Sequence, residues 1–181
     1  MKYSKTFLAK NGKEILLRSA TAADAGAVLE NFLLTHAETD YLLSYPDESS
    51  FSEEQERQFL GRKEESPKEV ELIAWVDGRV AATAGVDAIG RQEKLAHRAE
   101  FGVSVAREYW GLGIGRALTE ACVQCVREAG YLQLELSVVA ANERAIALYR
   151  KAGFVEYGRN PKGFRSRTNG FQELVLMRME L

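Results

Sequence analysis

Histidine and cysteine are scarce in this 181-residue chain, with two of each. His36 and His97 lie far apart, and Cys122 and Cys125 form a lone C-x-x-C. A zinc site needs more Cys or His ligands at matching spacing, so none is expected. A redox pair belongs at a helix N-terminus, where the dipole lowers a thiol pKa. These two cysteines fall within a helical pattern and read as small buried hydrophobes. A strong excess of one charge is missing too. The 24 basic and 26 acidic residues leave a net charge of −2, which implies no global pull toward nucleic acid or an acidic membrane. No apolar run is long enough to span a bilayer or to serve as a signal peptide, so a soluble, cytoplasmic protein is expected. Repeats, low-complexity tracts and clear linkers are absent as well, which points to one domain over residues 1–181.

What the chain does have is regular patterning. Residues 15–20 (ILLRSA) predict the first strand. Thr21 and Asp24 mark a helix start, with a helix to about Thr35. Residues 36–51 hold Pro46 and several Ser, Asp and Tyr, and read as loop. Ser52-Glu-Glu-Gln55 is a capping box that opens a helix to about Lys63, and Ser66-Pro67 breaks it. Residues 70–76 and 79–88 are strand-like and are joined by Asp77-Gly78, a strong hairpin signal. A polar turn over 89–96 leads to a strand at 99–106.

From Ile114 the apolar positions are Ala117, Leu118, Ala121, Cys122, Cys125, Val126 and Ala129. This is the stripe of a helix with one buried face, and Gly130 stops it. Residues 132–139 alternate, with Leu132, Leu134, Leu136 and Val138 on one face. Asn142 caps a further helix with the stripe Ala145, Leu148, Tyr149 and Ala152, which Gly153 ends. A strand near 154–158, a Gly/Pro/Arg loop and a strand over 171–179 complete the chain. The strand, helix and strand over 99–139 form a βαβ unit with parallel strands. The fold class is therefore α/β, with a mixed, twisted central sheet flanked by helices on both faces.

Three glycines, Gly111, Gly113 and Gly115, stand where the stripe of residues 114–129 begins. A turn with little side chain exposes the free N–H groups of a helix start, which suit a phosphate or pyrophosphate. A tight connection that binds nothing explains the glycines equally well. The dinucleotide fingerprint G-x-G-x-x-G fails, because Arg116 or Leu118 occupies the last position. No Gly-Lys-Ser/Thr occurs for a P-loop.

Residues 103–118, VSVAREYWGLGIGRAL, resemble the acyl-CoA signature of the GNAT superfamily of N-acetyltransferases. Its turn has the form Q/R-x-x-G-x-G/A, matched by Gly113 and Gly115, with Trp110 where Gln or Arg is usual. Residues 141–154, ANERAIALYRKAGF, resemble the later motif N-x-x-A-x-x-L-Y-x-K-x-G-F of the same family. The two motifs together cover consecutive units, and the likeness extends over most of the chain, least over 36–66.

The resemblance implies a GNAT-like fold and acetyl transfer from acetyl-CoA to a primary amine by direct attack in a ternary complex. It implies that the strand at 103–105 splays from the strand at 136–138, so that Val103, Ser104 and Val105 hold pantetheine through their backbones. Trp110, Gly111, Leu112, Gly113, Ile114, Gly115 and Arg116 would cradle the pyrophosphate. Asn142 would hydrogen-bond the cofactor arm, or simply cap its helix. Tyr149 would give a proton to the departing thiolate; on spacing alone it reads as a core residue.

Glu100 is the candidate base, if its strand register turns it toward the site. His97 and Glu135 are alternatives that otherwise read as surface or edge residues. Arg159, Lys162, Arg165 and Arg167, in a loop over 159–167 without acids, could meet a substrate carboxylate or a CoA phosphate, or form a solvated run. By resemblance, His36, Tyr41 and Tyr45 lie where the acceptor pocket is shaped. The acceptor, a small molecule or a peptide, is not specified, and a homodimer, common in the family, stays open. Two other readings remain: a non-catalytic acyl-CoA sensor, and a transferase with another acyl donor.

Overall fold

In the computed structural model, which describes residues 1–48 and 51–181, eight strands form one mixed sheet. They are Ser4–Leu8 (β1), Glu14–Ser19 (β2), Val70–Val76 (β3), Arg79–Ala88 (β4), Arg98–Val105 (β5), Gln133–Val139 (β6), Val155–Ser166 (β7) and Gly170–Glu180 (β8). Their order across the sheet is β1-β2-β3-β4-β5-β6-β8-β7, and only β5 and β6 pair in parallel. The helices are Ala25–Glu38 (α1), Glu53–Glu65 (α2), Ile114–Glu128 (α3) and Glu143–Ala152 (α4).

Local signals set several boundaries. Asp77 and Gly78 both take positive φ, 49° and 80°, the geometry of a two-residue hairpin turn whose twist matches its strands. Ser52 accepts from Gln55 N at 3.2 Å and its N–H donates to Gln55 Oε1 at 2.8 Å, so the capping box opens α2. Gly130, at φ 78°, and Gly153, at φ 105°, end α3 and α4 in the left-handed region open to glycine. At the start of α1, Thr21 N and Oγ1 donate to Asp24 Oδ2, and one 3-10 turn over Ala22–Asp24 precedes the helix.

Other expectations need correction. The first strand is β1, a short edge strand, and β2 is the second. The stretch 36–51 carries helix to Glu38 and a 3-10 turn over Pro46–Glu48; residues 49 and 50 of that expected loop lie outside the described residues. The expected loop over 159–167 is mostly strand. β7 runs through Ser166 against β8, and two register shifts, near Glu156/Gly158 and Asn160/Phe164, absorb the residues that broke its pattern. Leu132 precedes β6 and is exposed, while Ile146 joins Tyr149 on the buried side of α4.

The two sheet faces bury different sets. α3 and α4 cover a large apolar cluster that includes Leu72, Val86, Phe101, Leu118, Leu134 and Met177. α1 and α2 cover a smaller one of Ala20, Ala25, Val28, Leu60, Ile73 and Val80. Cys122 and Cys125 are free and buried in the first. Burial raises both thiols, Cys125 to about 11, which keeps them unreactive.

Candidate active site

β5 and β6 pair at only three positions, Arg98 with Gln133, Ala99 with Leu134 and Glu100 with Glu135. Beyond Glu100, β5 continues to pair with β4, from Phe101–Val86 to Val105–Ala82. Beyond Glu135, β6 continues to pair with β8, from Leu136–Met177 to Val139–Leu174. The two inner edges therefore part after Glu100 and Glu135, and a wedge opens between parallel strands. Unpaired backbone groups along such edges need partners. One is supplied by Trp110, whose Nε1 donates to Val105 O at 2.7 Å.

The glycine turn lies at the open end of this wedge. Gly111 and Gly113 take φ 84° and 95°, conformations that cost an L side chain about 1–2 kcal/mol. Gly113 is the N-cap of α3, and its carbonyl accepts from Ala117 N at 3.0 Å. The N–H groups of Ile114, Gly115 and Arg116 precede this first helical bond and carry the positive end of the helix dipole. A Cβ on Gly115 would lie 3.5 Å from Leu148 and 3.7 Å from Val105, so α3 starts close against β5 and α4. Arg116 is directed along its own helix, to Glu120 at 2.7 Å, on the exposed side. Arg107 and Arg144 lie over the Trp110 ring, 5.6 and 5.2 Å from its centroid. The pattern of the turn gave no sign of this pair of cations.

Tyr149 faces the base of the wedge from α4. Its ring meets Phe101 and Phe154 edge-on, at centroid distances of 6.1 and 5.9 Å. Burial pushes its phenol up to about 12, so it keeps its proton at neutral pH. Asn142 caps α4, with Oδ1 accepting from Ala145 N at 3.2 Å, and its side-chain N–H groups donate to no partner among the described residues.

The carboxylates divide by environment. Glu100 is exposed at the last parallel pair, beside Asp87 on β4. Glu135 corrects its expectation: it is neither at the surface nor on an edge strand. It is buried on β6, paired with Arg98 at 2.8 Å, and accepts from Tyr157 OH at 3.3 Å. The Arg98 guanidinium holds its carboxyl below the usual range, so it is a poor base. His97 is exposed in the turn just before β5.

The basic segment is also corrected, because acids from elsewhere engage it. Arg159 pairs with Glu156 and Glu173, and Arg167 with Asp47. Lys162 and Arg165 lie over Phe171. The stretch after α1 is tied to this hairpin. Asp40 accepts from Asn169 Nδ2 at 2.7 Å and from Tyr45 OH at 3.0 Å, and Tyr45 OH accepts from Arg167 N at 2.8 Å. His36 stacks on Phe32 at 3.7 Å, and burial lowers its pKa. Tyr41 is exposed.

The architecture is a mixed α/β sheet that opens between two parallel strands beside a glycine-rich helix start. The chain belongs to the family described as "Acetyltransferase (GNAT) family", which it matches over residues 32–154. Members of that family are acetyltransferases, and their acetyl donor is acetyl-CoA. The wedge and the free N–H groups at Ile114–Arg116 fit such a donor.

A segment of 55 residues is 46% identical to a mycothiol acetyltransferase of Paenarthrobacter aurescens, covering 30% of this chain and 17% of that protein. Over 105 residues the chain is 30% identical to the ribosomal protein bS18-alanine N-acetyltransferase of Escherichia coli K12, covering 58% of this chain and 67% of that one. The structure of a GNAT-family acetyltransferase from Streptococcus pneumoniae superposes with a TM-score of 0.87 at 26% identity, covering 92% of this chain and 99% of that chain. Among the described residues, no helix is long and apolar enough to cross a membrane.

Proposed function

We propose that this chain moves an acetyl group from acetyl-CoA to the primary amine of a small molecule or peptide by direct attack. The parting of β5 and β6 carries this reading, because it sets a backbone-lined slot beside a buried, protonated phenol. Val103, Ser104 and Val105 hold the pantetheine arm, and Asn142 donates to it. Residues 110–116 receive the pyrophosphate on backbone N–H groups, with Trp110 supporting the turn. Acetyl-CoA supplies an activated thioester. Backbone N–H groups of β5 polarise its carbonyl, and Tyr149 hydrogen-bonds the sulfur as it leaves and protonates it. The amine's proton leaves along the sheet face that carries Glu100, with water as the carrier. The names of the relatives make N-terminal alanine peptides the first acceptors to try.

Free-thiol release from acetyl-CoA, measured with alanine-initiated peptides, free L-amino acids and polyamines, tests the reading. Tyr149→Phe is expected to lower kcat about 10- to 100-fold and to leave acetyl-CoA affinity within twofold. An unchanged kcat removes Tyr149 from the chemistry. Tight acetyl-CoA binding with no turnover for every amine favours a sensor instead.

A further inference from the structure

One partly buried carboxylate has no part in the chemistry above. Glu71 is the second residue of β3, on the same face as Ile73, beneath α2. Its side chain lies across the neighbouring strand: a Cβ on its register partner Gly85 would stand 2.5 Å from Glu71 Oε2. Gly85 in turn pairs with Gly102 of β5, and a Cβ on Gly102 would meet nothing within 4 Å. Two glycines thus clear a lane from the Glu71 carboxylate to an open space over Gly102. One strand spacing, about 5 Å, separates them. Gly102 is the second residue past the last β5–β6 pair, so this space adjoins the base of the wedge.

The charged groups facing Glu71 are Lys63 and Glu56 of α2 and Asp87 of β4. Lys63 is already engaged, donating to Val86 O at 2.8 Å and to Asp87. Among the described residues, no hydrogen bond reaches the Glu71 carboxylate. An acceptor edge without donors, beside open space, suits an incoming ammonium with N–H groups to give.

We infer that Glu71 is a catalytic residue, which receives the acceptor's ammonium over Gly102 and takes the proton that the amine must lose before attack. The inference rests on the acetyltransferase reading and names the proton acceptor within it. R–NH3+ gives one proton to the carboxylate and becomes R–NH2. The nitrogen lone pair forms the C–N bond, the C–S bond breaks, and its electron pair goes to sulfur, which takes a proton from Tyr149. The second proton lost from nitrogen restores the phenol through water. Glu71 returns its own proton to solvent past Glu100 and Asp87, at the exposed end of the same face. Burial, reinforced by Asp87 and Glu56 and opposed by Lys63, pushes the Glu71 carboxyl up to about 8. That is close enough to an alkylammonium for efficient transfer.

The test uses the full chain, acetyl-CoA and the amines named above, with kcat/KM followed from pH 6 to 10. In the wild type the acid limb is expected near pH 8 and should stay there when the acceptor's own pKa is changed. Glu71→Gln should lose on the order of 100-fold in kcat/KM at pH 8.5 and lose that limb, with acetyl-CoA affinity unchanged by calorimetry. Glu71→Asp should recover part of the rate. Gly85→Ala, which displaces the carboxylate without removing it, should also lose rate. A raised pKa means stability falls as pH rises toward 8, so Glu71→Gln should melt no lower than wild type at pH 9. Wild-type turnover with Glu71→Gln unimpaired, or with its limb intact, overturns this proposal alone. A wild type that acetylates none of the amines overturns the transferase reading and this proposal together.

Discussion

Toward α3 the sheet presents Leu72, Ala84, Ala99 and Phe101; toward α1 and α2 it presents Ile73 with Glu71, Thr83 and Asp87 around it. The first face is apolar and aromatic, and Tyr149 is the group on it that carries the proposed chemistry. The second buries charge: Glu56 and Lys63 are both under a tenth exposed. Under the proposed function, the difference follows from what each side must do. A donor with a long flexible arm is held by backbone edges and a helix start, which need rigid apolar support. An amine must shed a proton, which needs titratable side chains kept partly away from water.

Four substitutions test this contrast. Phe101→Ala, on the donor face, removes the ring that contacts Tyr149 and Phe154 at 6.1 and 6.3 Å. It should cost about 3–5 kcal/mol in denaturant unfolding; a loss under 1 kcal/mol would show that the aromatic cluster is not what supports the wedge. Gly113→Ala places a side chain at φ 95° and should cost about 1–2 kcal/mol and weaken acetyl-CoA binding. Gly130→Ala, at φ 78° on the far end of α3, is its control, expected to cost similar stability and no donor affinity. Equal donor affinity in the two variants would detach the turn from donor binding.

Glu56→Gln, on the acceptor face, should have the smallest effect and the opposite sign. Burial raises the Glu56 carboxyl, so wild-type stability falls as pH rises through its folded value. The variant should gain a degree or two in Tm at pH 8 and nothing near pH 4. A loss at pH 8 would mean that the charge is held by a favourable partner.

Much of this architecture is legible in the residues. The β3–β4 hairpin follows from Asp77-Gly78 between two strand-like runs, and α3 from an unbroken stripe closed by Gly130. β1 and most of β7 are not legible, for a shared reason. SKTFL is short and largely exposed on an edge. β7 contains Pro161, two glycines and several charges, and becomes strand only because β8 pairs with it through two register shifts. Local propensity is weak where cross-strand partners decide. At the site, Gly113, Asn142 and Tyr149 stand out through motif spacing. Glu71 does not, since in VELIAWV it looks like any polar residue of a half-buried strand.

The hairpin, the two helical stripes, the glycine-rich helix start and the resemblance to an acetyl donor site are all written in the chain. These are local patterns, fixed by periodicity and by backbone angles open to glycine. Packing in three dimensions set where β5 and β6 part, after one short parallel ladder. It also paired Glu135 with Arg98 and laid Glu71 over Gly85 toward Gly102. The parting of β5 and β6 and the Arg98–Glu135 pair depend on register between strands that α3 separates in the chain, and the lane over Gly85 depends on a side-chain direction; no local pattern encodes either.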